Sequence, residues 1–560
     1  MRNLLNKYGV YALTLLWATA CFAFFQWWYP YHFFYQEQNQ LFLWSSDYLQ
    51  TYFDKPAWLA CMAGDFLTQF YYYLYAGSAI LTLVLLLTGD MTRRAVKAIH
   101  MRNKWLPYLA GFIAMTMEAL LSLHYGFRLS SVLSFAGGAA TFWLSTALLN
   151  RIDTWIHLEN NLRLSPMKIG SMELQHCLSL FSILLCVPFC FWLFGYGVWI
   201  YAILVFTGSL LYIKQAHSYL RVGVLAGCMF LLMLSKRVYF LDFEALYSYP
   251  GIGKLVLPQM SLEKSFAVDD EYYFGNYNKV VRLVEEEEEP NQQMKFFYNL
   301  VMAQRRLLPD KLLAFNDNYL GTFESIGPDT PTLTLKSINE LYWLLGDMTF
   351  AERAAILGNV CSPDKRNIRM MKRLAEINLA SGDTEAAKKY LRILGKTFVW
   401  GKWSRSVLEA LDEKANTGKS PAILSQYEEK AAYTNQTDTI RTSDNARIIM
   451  QELLKSNPDN HIALDYLLCS DLLLKDMESF KYDYDKFSPK IKATPYTVKL
   501  YQEALMIYLA GTHASAEEWE KYIYRTDILS RFRQYNQQRG SLAFKDTYWY
   551  YLDKKQTEKK

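Results

Sequence analysis

The sequence predicts an all-α protein in two parts: a polytopic transmembrane bundle of about seven helices, followed by a solenoid of α-helical repeats. Three observations predict it. Residues 9–29 contain no charged side chain, and neither do residues 129–149. Each run is 21 residues long, and about 20 are needed to span a hydrocarbon core. After residue 242 no such run recurs. From about residue 261 the chain becomes helical and polar, with a glycine-and-acid turn signal that returns at multiples of roughly 34 residues.

The expected spans are 9–29, 66–88, 105–124, 129–149, 176–194, 197–213 and 221–241. Within 176–213 the only turn signal is Gly195-Tyr196-Gly197. The first run follows Arg2 and Lys7, is full length, and ends in Phe24-Phe25-Gln26-Trp27-Trp28 without a small-residue cleavage site. It therefore reads as a retained helix, not a cleaved leader. Residues 30–65, bracketed by Pro30 and Pro56, read as one or two helices lying on the membrane face. The division is 1–242 for the membrane domain, 243–260 for a linker, 261–550 for the helical repeats and 551–560 for a charged, disordered tail.

Orientation follows from lysine and arginine in the short loops. One side collects Arg2, Lys7, Arg93, Arg94, Lys97, Arg102, Lys104, Arg151, Arg163, Lys168, Lys214 and Arg221, whereas the other holds Lys55 and Arg128. The N-terminus is thus expected in the cytoplasm of a bacterium, the multi-pass domain in its inner membrane, and the helical repeats in the periplasm. Lys236 and Arg237 fall at the outer end of span seven, against the rule, and reach the interface by snorkelling. A net charge of +5 over 560 residues, with no basic stripe interleaved with aromatics, argues against nucleic acid as a partner. Eight cysteines without CxxC or Cys/His spacing support neither a disulfide framework nor a zinc site.

The repeat signal is Gly275-Asn276-Tyr277-Asn278-Lys279-Val280, Gly346-Asp347-Met348-Thr349-Phe350-Ala351 and Gly382-Asp383-Thr384-Glu385-Ala386-Ala387. A degenerate copy stands at Lys475-Asp476-Met477-Glu478 and a looser one at Gly511. Glycine at the turn supplies the left-handed conformation that ends one helix, and a small residue five positions on lets the next helix pack closely. These segments resemble tetratricopeptide repeats, although several lack the large aromatic that the motif's first helix carries. The run Glu285 to Glu289 before Pro290 reads as a solvated helix end.

No Walker loop, GxSxG elbow, HExxH or Rossmann fingerprint occurs. Glu118 is the one carboxylate deep within a span, where such a group is costly and faces the bundle interior. Glu37, Asp47 and Asp65 fall between the first two spans. In that position they resemble the acidic residues of polyprenyl-linked integral-membrane glycosyltransferases, which use one as catalytic base or metal ligand. The resemblance lacks the acidic pair usual there, because Gln36 and Gln38 flank Glu37. It implies a lipid-linked substrate; a divalent metal would then have to bridge carboxylate and phosphate, since like charges repel, and Lys236 and Arg237, at the same depth on span seven, are the candidates to neutralise the phosphate.

A second resemblance covers nearly the whole chain. The Trp/Tyr-Pro end of span one, the segment from Glu37 to Phe42, and Gly64-Asp65-Phe66-Leu67-Thr68-Gln69-Phe70-Tyr71-Tyr72 are similar to an uncharacterised family of bacterial membrane proteins. That family has a soluble helical C-terminal half, and the resemblance implies no activity. The leading expectation is a non-enzymatic, membrane-anchored platform that binds a protein or envelope partner and needs no cofactor. A lipid-linked sugar transferase comes second. Transport, resting on Glu118 alone, comes third.

Overall fold

The computed structural model describes residues 2–99, 103–162, 185–216, 226–227, 230, 257–315, 330–362, 365–431, 445–490, 498–523 and 525–553. Among the described residues the fold is all-α, with no strand. The chain divides into two compact units, residues 1–263 with 396–401, and residues 264–395 with 402–560.

In the first unit, α1 (Arg2–Ala23) runs on through a π-helical turn, Phe24–Trp28. Then come α2 (Tyr31–Gln38), α3 (Ser46–Phe53), α4 (Trp58–Thr68), α5 (Ala76–Ala98), α6 (Leu106–Leu121), α7 (Leu129–Leu162), α8 (Leu185–Phe194) and α9 (Gly197–Ala216). Two stretches are long and apolar enough to cross a membrane, Tyr8–Trp28 and Leu129–Leu148. Leu106–Leu121, Leu185–Phe194 and Gly197–Gly208 are apolar but shorter.

Three details differ from expectation or sharpen it. The segment between the first two spans holds three helices, α2 to α4, not one or two. The span placed at 66–88 is not one helix. α4 tightens into a 3₁₀ turn at Gln69–Tyr72, and Tyr75 takes the left-handed conformation (φ +70°) before α5 restarts at Ala76. A right-handed helix cannot run through such a residue. The stretch 176–213 is interrupted where the sequence carries its only turn signal, with Gly195 at φ +50°, although residues 176–184 lie outside the described ones.

The helices of this unit meet backbone to backbone. A Cβ on Gly111 of α6 would fall 2.6 Å from the Gly89 carbonyl oxygen of α5. One on Gly138 of α7 would collide with the Gly197 carbonyl of α9, and one on Gly64 of α4 would lie 2.7 Å from the Ser130 nitrogen of α7. Small residues at crossings are what close helix approach requires where side chains gain little by leaving an apolar solvent. Several buried hydroxyls are satisfied within their own helix. Thr88, Thr92, Thr141 and Ser122 each donate to the carbonyl four residues back, at 2.8–2.9 Å. Large apolar side chains point outward instead: Leu15 and Leu16 on α1, Leu83 on α5, Ile113 on α6, Leu144 on α7 and Ile203 on α9 are all more than half exposed.

In the second unit the turn signal has a clear physical basis. Gly346 (φ +85°) and Gly382 (φ +80°) end their helices in the left-handed region. The acids that follow cap the next helices: Asp347 accepts from the Phe350 N–H at 3.2 Å, and Asp383 from the Ala386 N–H at 3.0 Å. Lys475-Asp476 works the same way without glycine, Lys475 sitting at φ +60° and Asp476 accepting from Ser479 at 3.0 Å. Five residues after each turn residue, Val280, Ala351, Ala387 and Phe480 are buried. The expected turn at Gly511 is displaced. Gly511 ends the helix Lys499–Gly511, and His513 takes the positive φ (+53°), because the capping residue, Ser515, lies four positions beyond Gly511 and not one.

Consecutive helices pack in chain order from Thr332–Leu345 through Met348–Val360, Ile368–Ser381 and Thr384–Leu394, and again from Ala446–Ser456 through His461–Leu473 to Met477–Phe487. His461–Leu473 breaks strict neighbour-to-neighbour order, since it also packs on Gln292–Gln304, Leu308–Lys311 and Thr332–Leu345. Its cap Asn460 donates to the Leu345 carbonyl at 2.9 Å while accepting from Ala463.

A Cβ at Gly382 would meet nothing within 4 Å, so Gly382→Val should lower stability through the backbone alone, by about 1 kcal/mol or more. His513→Gly should raise it by roughly 0.5–1 kcal/mol. Paired chemical-denaturation curves check both. In the first unit Gly111→Leu should abolish the heat-resistant folded fraction in detergent. Gly9→Leu, at a glycine with open space around it, should leave that fraction unchanged.

Candidate functional site

The predicted acids of the first unit occupy four different environments. Glu37 is buried on α2 (2 % exposed). The neighbouring Gln36 amide donates to the Tyr125 and Phe127 carbonyls at 3.0 and 3.1 Å. The N-terminus of α2 is held by Glu263, whose carboxylate accepts from the Tyr31 N–H at 2.5 Å and the His32 N–H at 3.2 Å. Burial pushes Glu263 up to about 8 and His32 down to about 3, so the imidazole beside it is neutral.

Asp65, on α4, has a structural job. Its carboxylate accepts from the Tyr52 hydroxyl at 2.7 Å, its carbonyl accepts from the Gln40 amide at 3.1 Å, and Tyr48 links Tyr52 to the Leu41 carbonyl. Burial, then the charge of Asp65, keeps the Tyr52 phenol protonated and therefore a donor. Asp47 is exposed in the first turn of α3 and accepts from the Ser46 hydroxyl at 3.3 Å. Such an acid complements the helix dipole. Glu118 is buried on α6 (1 % exposed), and its Oε2 accepts no hydrogen bond among the described residues. Lys236 and Arg237 lie outside the described residues. Among the described residues no three His, Cys, Asp or Glu side chains gather as a metal would require, so Glu37, Asp47 and Asp65 form no such group.

The most developed polar constellation is in the second unit, and sequence reasoning missed it. Arg369 and Arg373, one turn apart on Ile368–Ser381, face inward. Arg369 donates to both oxygens of Asp269 at 2.9 Å and to Glu340 at 3.0 Å. Arg373 holds Glu340 at 2.7 Å and Glu376 at 3.2 Å. Burial raises the Glu340 carboxyl, and Arg373 and Arg369 more than reverse that, leaving it below the ordinary range. Aromatic rings floor the cluster: Arg369 stands 4.8 Å over Tyr273, Arg373 4.6 Å over Trp343, Lys372 5.4 Å over Trp403 and Lys430 5.3 Å over Trp343. The visible signal was Arg369 and Arg373 at i, i+4, with Lys372 and Glu376 on the same face, echoed by Glu340 and Trp343 at i, i+3.

A separate buried acid, Asp465, accepts from the Tyr501 hydroxyl at 2.8 Å. Burial pushes it up to about 7, and Asp471 and Glu503 likewise to about 7.

The whole constellation falls within a stretch of sequence that a single family model covers. The chain belongs to a family of unknown function (DUF6057), whose model matches residues 6–555. No curated protein and no solved structure matches it. The expected membership of an uncharacterised family is thereby met, and it assigns no chemistry to any residue named above.

Two outcomes follow from the second unit's charges. Arg369→Met strands the buried Asp269, leaves Glu340 to Arg373 alone, and should cost about 3 kcal/mol or more in denaturant unfolding. Asp465 holds its proton more tightly folded than unfolded, so stability falls as pH rises from near 4 to about 7 and stays reduced above. His461, pushed down to about 4 by burial, works the other way between pH 6.5 and 4. Asp465→Asn, which keeps an oxygen for Tyr501, should therefore raise the melting temperature at pH 8 and have little effect at pH 4.

Proposed function

We propose that this protein is a membrane-anchored platform: a multi-span helical bundle carrying an externally displayed, tetratricopeptide-like helical domain that binds a protein or envelope partner. The observation that carries the reading is the joining of two unlike surfaces in one chain. The first unit buries Thr, Ser and Glu118 beside its apolar core while leaving Leu15, Leu16, Leu83, Ile113, Leu144 and Ile203 exposed, an outward apolar surface that suits an apolar surrounding better than water. The second presents cations on half-buried Trp343, Trp403 and Tyr273, across helices from successive hairpins.

Charge distribution supports the orientation. Arg93 and Arg94 at the end of α5 are tied to Asp90 at 3.1 and 2.7 Å. They stack over Tyr108 and Trp143 at 5.5 and 4.9 Å, so the basic ends of α5 to α7 share one side. That side is the cytoplasmic one by the positive-inside rule. On the sequence's count of seven crossings, of which the last (221–241) lies almost wholly outside the described residues, the second unit belongs in the periplasm of a bacterial host. Stacked helical hairpins present an extended surface suited to partner binding. The contacts of His461–Leu473 fold that stack back on itself, making it more compact than an open solenoid. The transferase reading gains no support from the geometry of Glu37, Asp47 and Asp65.

Site-specific photo-cross-linking in living cells tests the platform. A photoreactive residue at Trp403 should yield a discrete adduct with another protein, and one at the exposed Leu474 should not. Adducts at neither position, or equal smears at both, would contradict it.

A further inference from the structure

Among the described residues and their ion pairs, the second unit's cluster carries one more cation than carboxylates. Four cations, Arg369, Lys372, Arg373 and Lys430, meet three carboxylates, Asp269, Glu340 and Glu376. The arginines and Lys372 all have ion-pair partners, Lys372 on Glu376 at 2.7 Å. Lys430 has none among the described residues. Its ammonium donates once, to the Leu344 carbonyl at 3.1 Å, and rests over the Trp343 ring. An ammonium carries three donors, so two have no partner among the described residues. Burial, then the neighbouring Arg373, push it down to about 8.

We infer that the Lys430 face takes a carboxylate side chain of an acidic peptide segment in a partner protein, with the indoles of Trp343 and Trp403 receiving the apolar residues that flank it. The proposal rests on the platform reading. A carboxylate fits because the surplus is one positive charge and the unfilled donors belong to a point-like cation, not to a guanidinium fork. A peptide fits because the cation is set among half-buried rings, Trp343, Trp403 and Tyr273, which a small hydrated anion would leave unused. Retention of Lys430 only to cap the last carbonyls of Thr332–Leu345 is the competing explanation, and it requires no ligand.

The test uses the full chain in nanodiscs of zwitterionic lipid. Random dodecapeptides displayed on beads are selected against it, with empty nanodiscs as the background, and recovered peptides are titrated by fluorescence anisotropy. The expected result is enrichment of Asp and Glu beside aromatic or aliphatic residues. Lys430→Met should then weaken binding about tenfold or more, and Lys430→Arg should retain most of it. Replacing Asp and Glu of a recovered peptide by Asn and Gln repeats the comparison on the unaltered protein, so misfolding of a variant cannot mask the answer. Peptides recovered without acidic enrichment, or binding indifferent to Lys430→Met and to the amide exchange, would overturn this inference and leave the platform standing. Capture of phosphatidylglycerol vesicles that is lost in Lys430→Met would overturn it in favour of a lipid headgroup. Recovery of nothing above empty nanodiscs would overturn the platform as well.

Discussion

Where α5 crosses α6, Gly89 and Gly111 bring two backbones into contact, and even one methyl group on Gly111 would fall within 2.6 Å of a carbonyl oxygen. The rest of the first unit is arranged around that kind of contact. On the proposed membrane reading, helices gain little from burying leucine, so association would depend on dispersion between surfaces that fit closely. Gly138 against Gly197 and Gly64 against Ser130 repeat the solution. The second unit reaches a similar end in a different way: Ala351 and Ala387, each five residues beyond a left-handed turn, are fully buried where one helix folds back on the last. In both units, the positions without bulk decide which helices can be neighbours.

Bulk and charge then go where those contacts leave room. The network from Asp269 through Arg369 and Glu340 to Arg373 joins three helices that lie far apart in sequence. Desolvation takes back much of what such pairs gain, so their contribution is better read as specificity than as net stability. Each arginine fits only if its two carboxylates arrive in register, and a helix displaced by one turn would leave a buried charge unpaired. The binding face proposed around Trp343 and Trp403 is built on this network, and a face ordered before binding lowers the ordering cost.

Much of the architecture was legible in the sequence because it is written in local signals. Gly346-Asp347 and Gly382-Asp383 encode turn and cap in adjacent residues, and even Lys475-Asp476 kept enough of the pattern to be read. Gly511 misled because the neighbouring His513 took over the left-handed position, a choice set by where Ser515 caps the next helix. The break at Tyr73–Tyr75 was hidden by hydropathy, which runs smoothly across 66–88 while the backbone does not. Of the candidate site, Glu37, Asp65 and Glu118 could be named because buried or interfacial acids are rare. Their partners could not be, because Tyr52 reaches Asp65 only through packing. The ionic cluster went unseen for the same reason, Asp269 and Arg369 being 100 residues apart.

The central claim is that an apolar, inward-polar bundle holds the helical domain outside the cytoplasm. Labelling in a cysteine-free background tests it most directly, with a membrane-impermeant maleimide applied to cells whose outer membrane has been permeabilised. Ser381→Cys, at an exposed position of the second unit, should react in intact cells, and Asn103→Cys, exposed between α5 and α6, only after lysis. Protection of Ser381→Cys until lysis would contradict the account.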